Sequence, residues 1–184
     1  ILLSRTLNII STIKSRTIKF HLSGMNNEEL GVSKEIYYFF DGNENDILEF
    51  KRQNLSLDDI KFQINTVEDI FQIVTEMKNY VSGEFAVKNS LDLTIKYNKS
   101  IELIAQRIRF WELENVYFFI NEIENELKKE REFLIGFLSK IIINAKNSVE
   151  TEDLKNLINL KNSIRNNVNI KSVLFNFFDI LQNS

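Results

Sequence analysis

Between residues 57 and 81, apolar side chains recur at Ile60, Ile64, Val67, Ile70, Phe71, Val74, Met77 and Val81. Steps of three and four place them on one stripe of a helix, whereas a strand would need strict alternation. The chain has no proline, the residue that would interrupt such a stripe. The spacing therefore predicts a helix over 57–81. Comparable stripes predict helices over residues 2–15, 44–52, 100–130 and 151–166, the last capped by Thr151, and over 171–182. Residues 131–147 are apolar nearly all round, as in a helix buried in a core or an interface. Leu91, Leu93 and Ile95 alternate as a strand would, but among so many helices the segment up to residue 98 is read as helical. The expectation is an all-α bundle of about eight or nine helices.

Composition narrows the chemistry. There is no cysteine, so disulfides and thiolate metal sites are excluded. With a single histidine, His21, neither a histidine metal cluster nor a Ser-His-Asp triad is expected. Arg16 and His21 stand at the R-x4-H spacing of some helical RNases, which pair two such motifs late in a bundle; here the pair is read as structural. Acidic pairs such as Asp58-Asp59 and Glu68-Asp69 sit at helix starts, where carboxylates favour the helix dipole. No phosphate loop or nucleophile motif is present. The chain is read as not an enzyme, with no cofactor and no metal site.

No stretch approaches the roughly 18 to 20 apolar residues that span a bilayer. The N-terminal ILLSRTLNIISTIKSR is amphipathic and basic, not a secretory leader, and a cytoplasmic protein is expected. It lacks a methionine, so the native start is expected upstream. Net charge is -3 but uneven: residues 1–40 carry five Lys/Arg against three Glu, or +2, and the remainder 18 against 23, or -5. A basic N-terminal part on an acidic body permits a nucleic-acid-binding head.

The functional signal is concentrated in "GVSKEIYYFF", residues 31–40. Asn26 and Asn27 can start a short helix that ends at Gly31, and Ser33 can cap a second over residues 34–40. Helix, glycine turn and helix have the order of a helix-turn-helix, whose second helix enters the major groove.

At this point the sequence resembles the TetR family of transcriptional repressors over residues 31–48. Gly31-Val32-Ser33-Lys34, then Tyr37-Tyr38-Phe39-Phe40, then Asp41-Gly42-Asn43-Glu44-Asn45-Asp46-Ile47-Leu48 follow the family's order of motif, aromatic run, turn and acidic helix start. The chain departs from the family by one residue fewer between Lys34 and Tyr37. It also departs by Asn26 and Asn27 where an apolar-Ala pair usually stands. The resemblance implies a three-helix DNA-binding head at residues 1–50 and a ligand-binding, dimerising helical body at 51–184. It implies that Ser33 caps the recognition helix and, with Lys34, touches phosphate. Tyr37 or Tyr38 would donate to the DNA backbone, Glu35 could accept from a cytosine amine, and Phe39 or Phe40 would anchor the helix. The implied partners are operator DNA and a second copy of the chain. The alternative is a helical module that does not bind DNA: a sensor bundle or a peptide- or protein-binding adaptor.

In the body, Phe110, Trp111, Tyr117 and Phe118 are candidates to line a cavity for a small apolar ligand, against the plainer reading of core packing. The segment from Trp111 to Asn121 resembles, in one Trp, one Asn and its helical spacing, the helical-repeat peptide-binding domain of Rgg-type regulators. Residues 133–143 and 173–181 are candidates for a dimer interface, with the monomer's own core as the other use.

Overall fold

A computed structural model describes residues 24–57, 64–83, 90–166 and 168–184, which contain eight α-helices and no strand. They are α1 (Lys34–Phe39), α2 (Glu44–Arg52), α3 (Val67–Ser82) and α4 (Ser90–Arg107). A 3-10 turn (Ile108–Phe110) then leads to α5 (Leu113–Leu127), α6 (Arg131–Ala145), α7 (Thr151–Ser163) and α8 (Ile170–Asn183). The all-α expectation holds. No described helix is long and apolar enough to cross a membrane. The helix expected at 2–15 and the Arg16/His21 pair lie outside the described residues.

Local chemistry sets most helix starts. Ser33, Asn43 and Asn169 cap α1, α2 and α8 with side-chain oxygens that accept from first-turn N–H groups. The helix expected from residue 57 begins instead at Val67. Thr66 and Asp69 form a reciprocal capping box there, so residues 64–66 stay non-helical. The N–H groups of Asn65 and Thr66 hold the Asp69 carboxyl below its usual range. Gly83, with φ +78, closes α3 in the left-handed conformation. The cap of α7 is Glu150, one residue before the expected Thr151.

In the middle of the chain one expectation holds and one changes. Leu91, Leu93 and Ile95 belong to α4, and Thr94, Tyr97 and Asn98 are buried beside them. Alternation there reflects a helix covered on several sides, not a strand. The long helix expected over 100–130 is broken at residues 108–112. The Gln182 side chain reaches from α8 and donates to the carbonyls of Ile108 (3.4 Å) and Trp111 (3.3 Å). A partner from a distant helix thus replaces bonds that the helix would have made itself.

The main core surrounds α6. Leu134, Phe137, Leu138, Ile141 and Ala145 are fully buried, as are Leu174, Phe177 and Phe178 of α8. Phe119 stands at the aromatic centre, its ring 5.6 Å from Trp111, 5.7 Å from Phe178 and 6.4 Å from Phe137. The helices expected as dimer candidates are therefore used by the monomer's own core, because their apolar faces pack on α4, α5 and α7. A smaller cluster joins Leu30, Phe40, Ile47 and Phe50 to Leu91 and Ile95 of α4. The boundary expected after residue 50 falls inside α2, so the N-terminal part is not cut off there.

Phe137 and its neighbour Gly136 make opposite predictions. Phe137→Ala empties a fully enclosed site and should cost about 3–5 kcal/mol. Gly136 lies inside α6 with open space where a Cβ would stand, so Gly136→Ala should stabilise by about 0.5–1 kcal/mol. Urea denaturation of both variants measures the two effects.

Candidate functional site

The stretch 26–42 is built from two small motifs. Asn26 Oδ1 accepts from the Glu29 N–H (2.9 Å) and Glu29 Oε2 accepts from the Asn26 N–H (2.8 Å). Gly31, at φ +62, then closes the turn. Its N–H donates to Glu28 O and the Val32 N–H to Asn27 O, both at 3.0 Å, the Schellman pattern. Residues 26–30 are thus a single capped turn, shorter than the supporting helix that a helix-turn-helix places before its second helix. Asn26 and Asn27 explain the brevity, because they favour caps over helix interiors. Lys51 of α2 ties the turn down through the Leu30 carbonyl at 2.6 Å.

The next six residues form α1, and the four aromatics divide cleanly. Phe40 is buried against Phe50, ring to ring at 5.2 Å. Phe39 is half-buried, with the Lys99 ammonium 5.4 Å from its ring centre. Tyr37 is half-buried and lies over Gly42, where a Cβ would come within 2.8 Å of the phenol oxygen. Gly42 must therefore stay without a side chain, and its φ of +67 makes the same demand. Tyr38 is 70% exposed. Ser33, Lys34 and Glu35 are exposed as well. Lys34 and Tyr38, four apart, share one face of α1. Ser33 Oγ is occupied in part by the Ile36 N–H at 3.2 Å, as its capping role requires.

The loop after α1 is clamped to the body. Asp41 takes a left-handed φ of +51 and pairs with the Lys140 ammonium of α6. Lys140 also donates to Asn98 Oδ1 (2.7 Å), and Asn98 Nδ2 donates to the Phe39 carbonyl (2.7 Å). The same ammonium stands 5.3 Å from the Tyr97 ring centre, and burial pushes the Tyr97 phenol pKa up. Asp46, on α2 beside this cluster, accepts from Asn43 (2.8 Å) and Thr94 (3.4 Å). Burial holds its carboxyl above the usual range, opposed by the Thr94 hydrogen bond and the Lys140 charge. Asp41, Asn98 and Lys140 carried no sequence signal as a set. They are separated by tens of residues and sit at ordinary polar positions of a loop and two helices.

The electrostatics of this region are acidic. Residues 24–57 hold Lys34, Lys51 and Arg52 against Glu28, Glu29, Glu35, Asp41, Glu44, Asp46 and Glu49, so 3 - 7 = -4. Lys51 is engaged with Leu30 and Arg52 pairs with Glu49 at 2.7 Å, leaving Lys34 as the cation on the exposed face of α1.

The four aromatics expected to line a cavity do not converge on one. Phe110 is 73% exposed, Tyr117 48% and Phe118 37%. The reason is the break at 108–112, which turns Phe110 outward and starts α5 on a new phase. Tyr117 packs beside Phe175 of α8, ring centres 5.1 Å apart. Trp111 is partly buried and lines a cleft of about 330 Å³ between the start of α3 and the end of α4. Ile64, Val67, Ile70 and Leu103 supply its apolar wall, and the exposed Glu68 and Arg107 line it as well.

No known protein family, characterised protein or solved structure matches this chain.

Two measurements test the clamp. Lys140→Ala should speed amide exchange across residues 34–52 and leave α8 protected, because the smaller cluster loses its polar anchor while the main core is untouched. The raised pKa of Asp46 means that its neutral form is the one folding favours. Its contribution is therefore largest below the ordinary value of 3.8 and is lost as the pH rises through the raised one. Asp46→Asn should accordingly gain stability relative to the parent at about pH 7 and show no such gain at about pH 3, read from melting temperatures at the two pH values.

Proposed function

We propose that the protein is a DNA-binding regulator of transcription, cytoplasmic and dimeric, in which α1 is a presented helix and the helical body senses a small ligand. The observation that carries this reading is the arrangement of α1. One face holds Lys34 and Tyr38 out to solvent, and the opposite side is fixed by Phe40 and by the Asn98–Phe39 hydrogen bond. A helix that reads DNA needs such anchoring, since phosphate contacts position it only if its own orientation is set. Charge adds a condition. The acidic balance of residues 24–57 cannot draw in a phosphate backbone by itself. Residues 1–23 carry Arg5, Lys14, Arg16 and Lys19 with no Asp or Glu, or +4. In this reading that segment supplies most phosphate contacts, and Lys34 and Tyr38 add to them.

A second reading is a protein-binding helical module. It is favoured by the exposed Phe110, Leu113 and Tyr117 and by the acidic surface around α1. Exposed aromatic anchors are typical of protein interfaces.

Fluorescence anisotropy with the DNA upstream of the protein's own coding sequence separates the two. The regulator reading expects affinity that falls steeply with salt, with each phosphate contact contributing about 0.9 to the slope of log K against log salt. Lys34→Ala should reduce that slope by about 1, and Tyr38→Phe should weaken binding without changing it. Absence of salt-sensitive binding at micromolar protein would leave the protein-binding module as the better account.

A further inference from the structure

The cleft beside Trp111 joins apolar surface to two opposite charges at helix ends, Glu68 in the first turn of α3 and Arg107 in the last turn of α4. Its apolar lining is Ile64, Val67, Ile70, Leu103 and the indole, and Asn65, Thr66 and Asn115 add polar surface. Arg107 and Glu68 line the same space and are exposed, and among the described residues neither side chain makes a hydrogen bond or ion pair. The Trp111 carbonyl accepts from Gln182 at 3.3 Å, and its ring packs edge-on to Phe119 at 5.6 Å. The indole forms one wall of the cleft.

We propose that this cleft binds a small zwitterion with an apolar body, the class of the apolar α-amino acids. The Arg107 fork suits a carboxylate, which it can grip through two parallel hydrogen bonds. Glu68 suits an ammonium. The five apolar residues take an aliphatic or aromatic side chain. A ligand with a carboxylate alone would meet repulsion from Glu68, and an amine alone would meet it from Arg107, so the lining favours molecules that carry both charges. The volume of about 330 Å³ lies near the lower end of small-molecule sites, which suits a single amino acid better than a peptide of several residues. The proposal names the ligand class of the sensing body, but its test needs no DNA and stands or falls apart from the function of α1.

Trp111 is the chain's single tryptophan, so tryptophan emission, excited selectively over the tyrosines, comes from the wall of this cleft. L-leucine titrated into the full chain should give a saturable change in emission, matched by calorimetry. N-acetyl-L-leucine and L-leucinamide, each lacking one charge, should bind about tenfold more weakly, the worth of one charge-assisted hydrogen bond. Arg107→Gln should erase the discrimination against leucinamide, and Glu68→Gln that against N-acetyl-leucine. Both residues are exposed, so melting temperatures should stay near the parent's and separate lost binding from lost folding. Two results overturn the proposal: no saturable response to leucine, isoleucine or phenylalanine by either method, or equal binding of leucine and its two blocked forms.

Discussion

Helix α4 has to serve two cores at once, and the rest of the molecule is arranged around that demand. Its first turns give Leu91 and Ile95 to the cluster of Phe40, Ile47 and Phe50, and its later turns give Tyr97, Ile101 and Ile104 to the core around α6. A helix buried on several sides has little room for charge, and the polar groups that remain must find partners. Asn98 does so on both sides, donating to Phe39 and accepting from Lys140. Lys140 closes the arrangement by pairing with Asp41. Breaking one member strands the others in a partly buried place, where an unpaired polar group costs more than a hydrogen bond is worth. The small N-terminal cluster is thus joined to the body by apolar contact and by a polar network of shared membership.

That junction matters for what the chain can present. The aromatic run has one outward member, Tyr38, and three that hold α1 in place or close its loop. A short helix has little stability of its own and owes its persistence to packing. Here packing fixes which side chains face solvent, and they form a small mixed surface with a hydroxyl, a cation, a carboxylate and a phenol. Its acidic surroundings oppose long-range attraction of nucleic acid, while the basic residues 1–23 provide the opposite sign in the same part of the sequence. The function argued above depends on which of these two fields a partner meets.

Much of the helical layout was legible because burial follows period. The stripe through Ile70 and Val74, the all-round apolar character of residues 131–147 and the cap at Ser33 each had a direct physical cause in neighbouring residues. The candidate site was legible only in part. Ser33, Gly31 and Gly42 announce their roles through cap and turn chemistry, but the orientation of Tyr37 to Phe40 depends on what lies opposite each. Phe110, Trp111, Tyr117 and Phe118 look alike as a cluster on one continuous helix. Once the helix breaks before α5, they separate into an outward Phe, a cleft wall and two partly covered rings.

The sequence by itself determined the helical class, the places where side-chain caps start helices and the glycines that stop them, because these are set by residues within a turn or two of each other. The tertiary structure alone decided that the middle helix ends at residue 107, since the amide that compensates the break comes from Gln182 on α8. It alone decided that residues 133–143 and 173–181 cover each other's neighbours inside one chain, and that Asp41, Asn98 and Lys140 meet. Those outcomes rest on contacts between groups distant in sequence, whose energies no local pattern records.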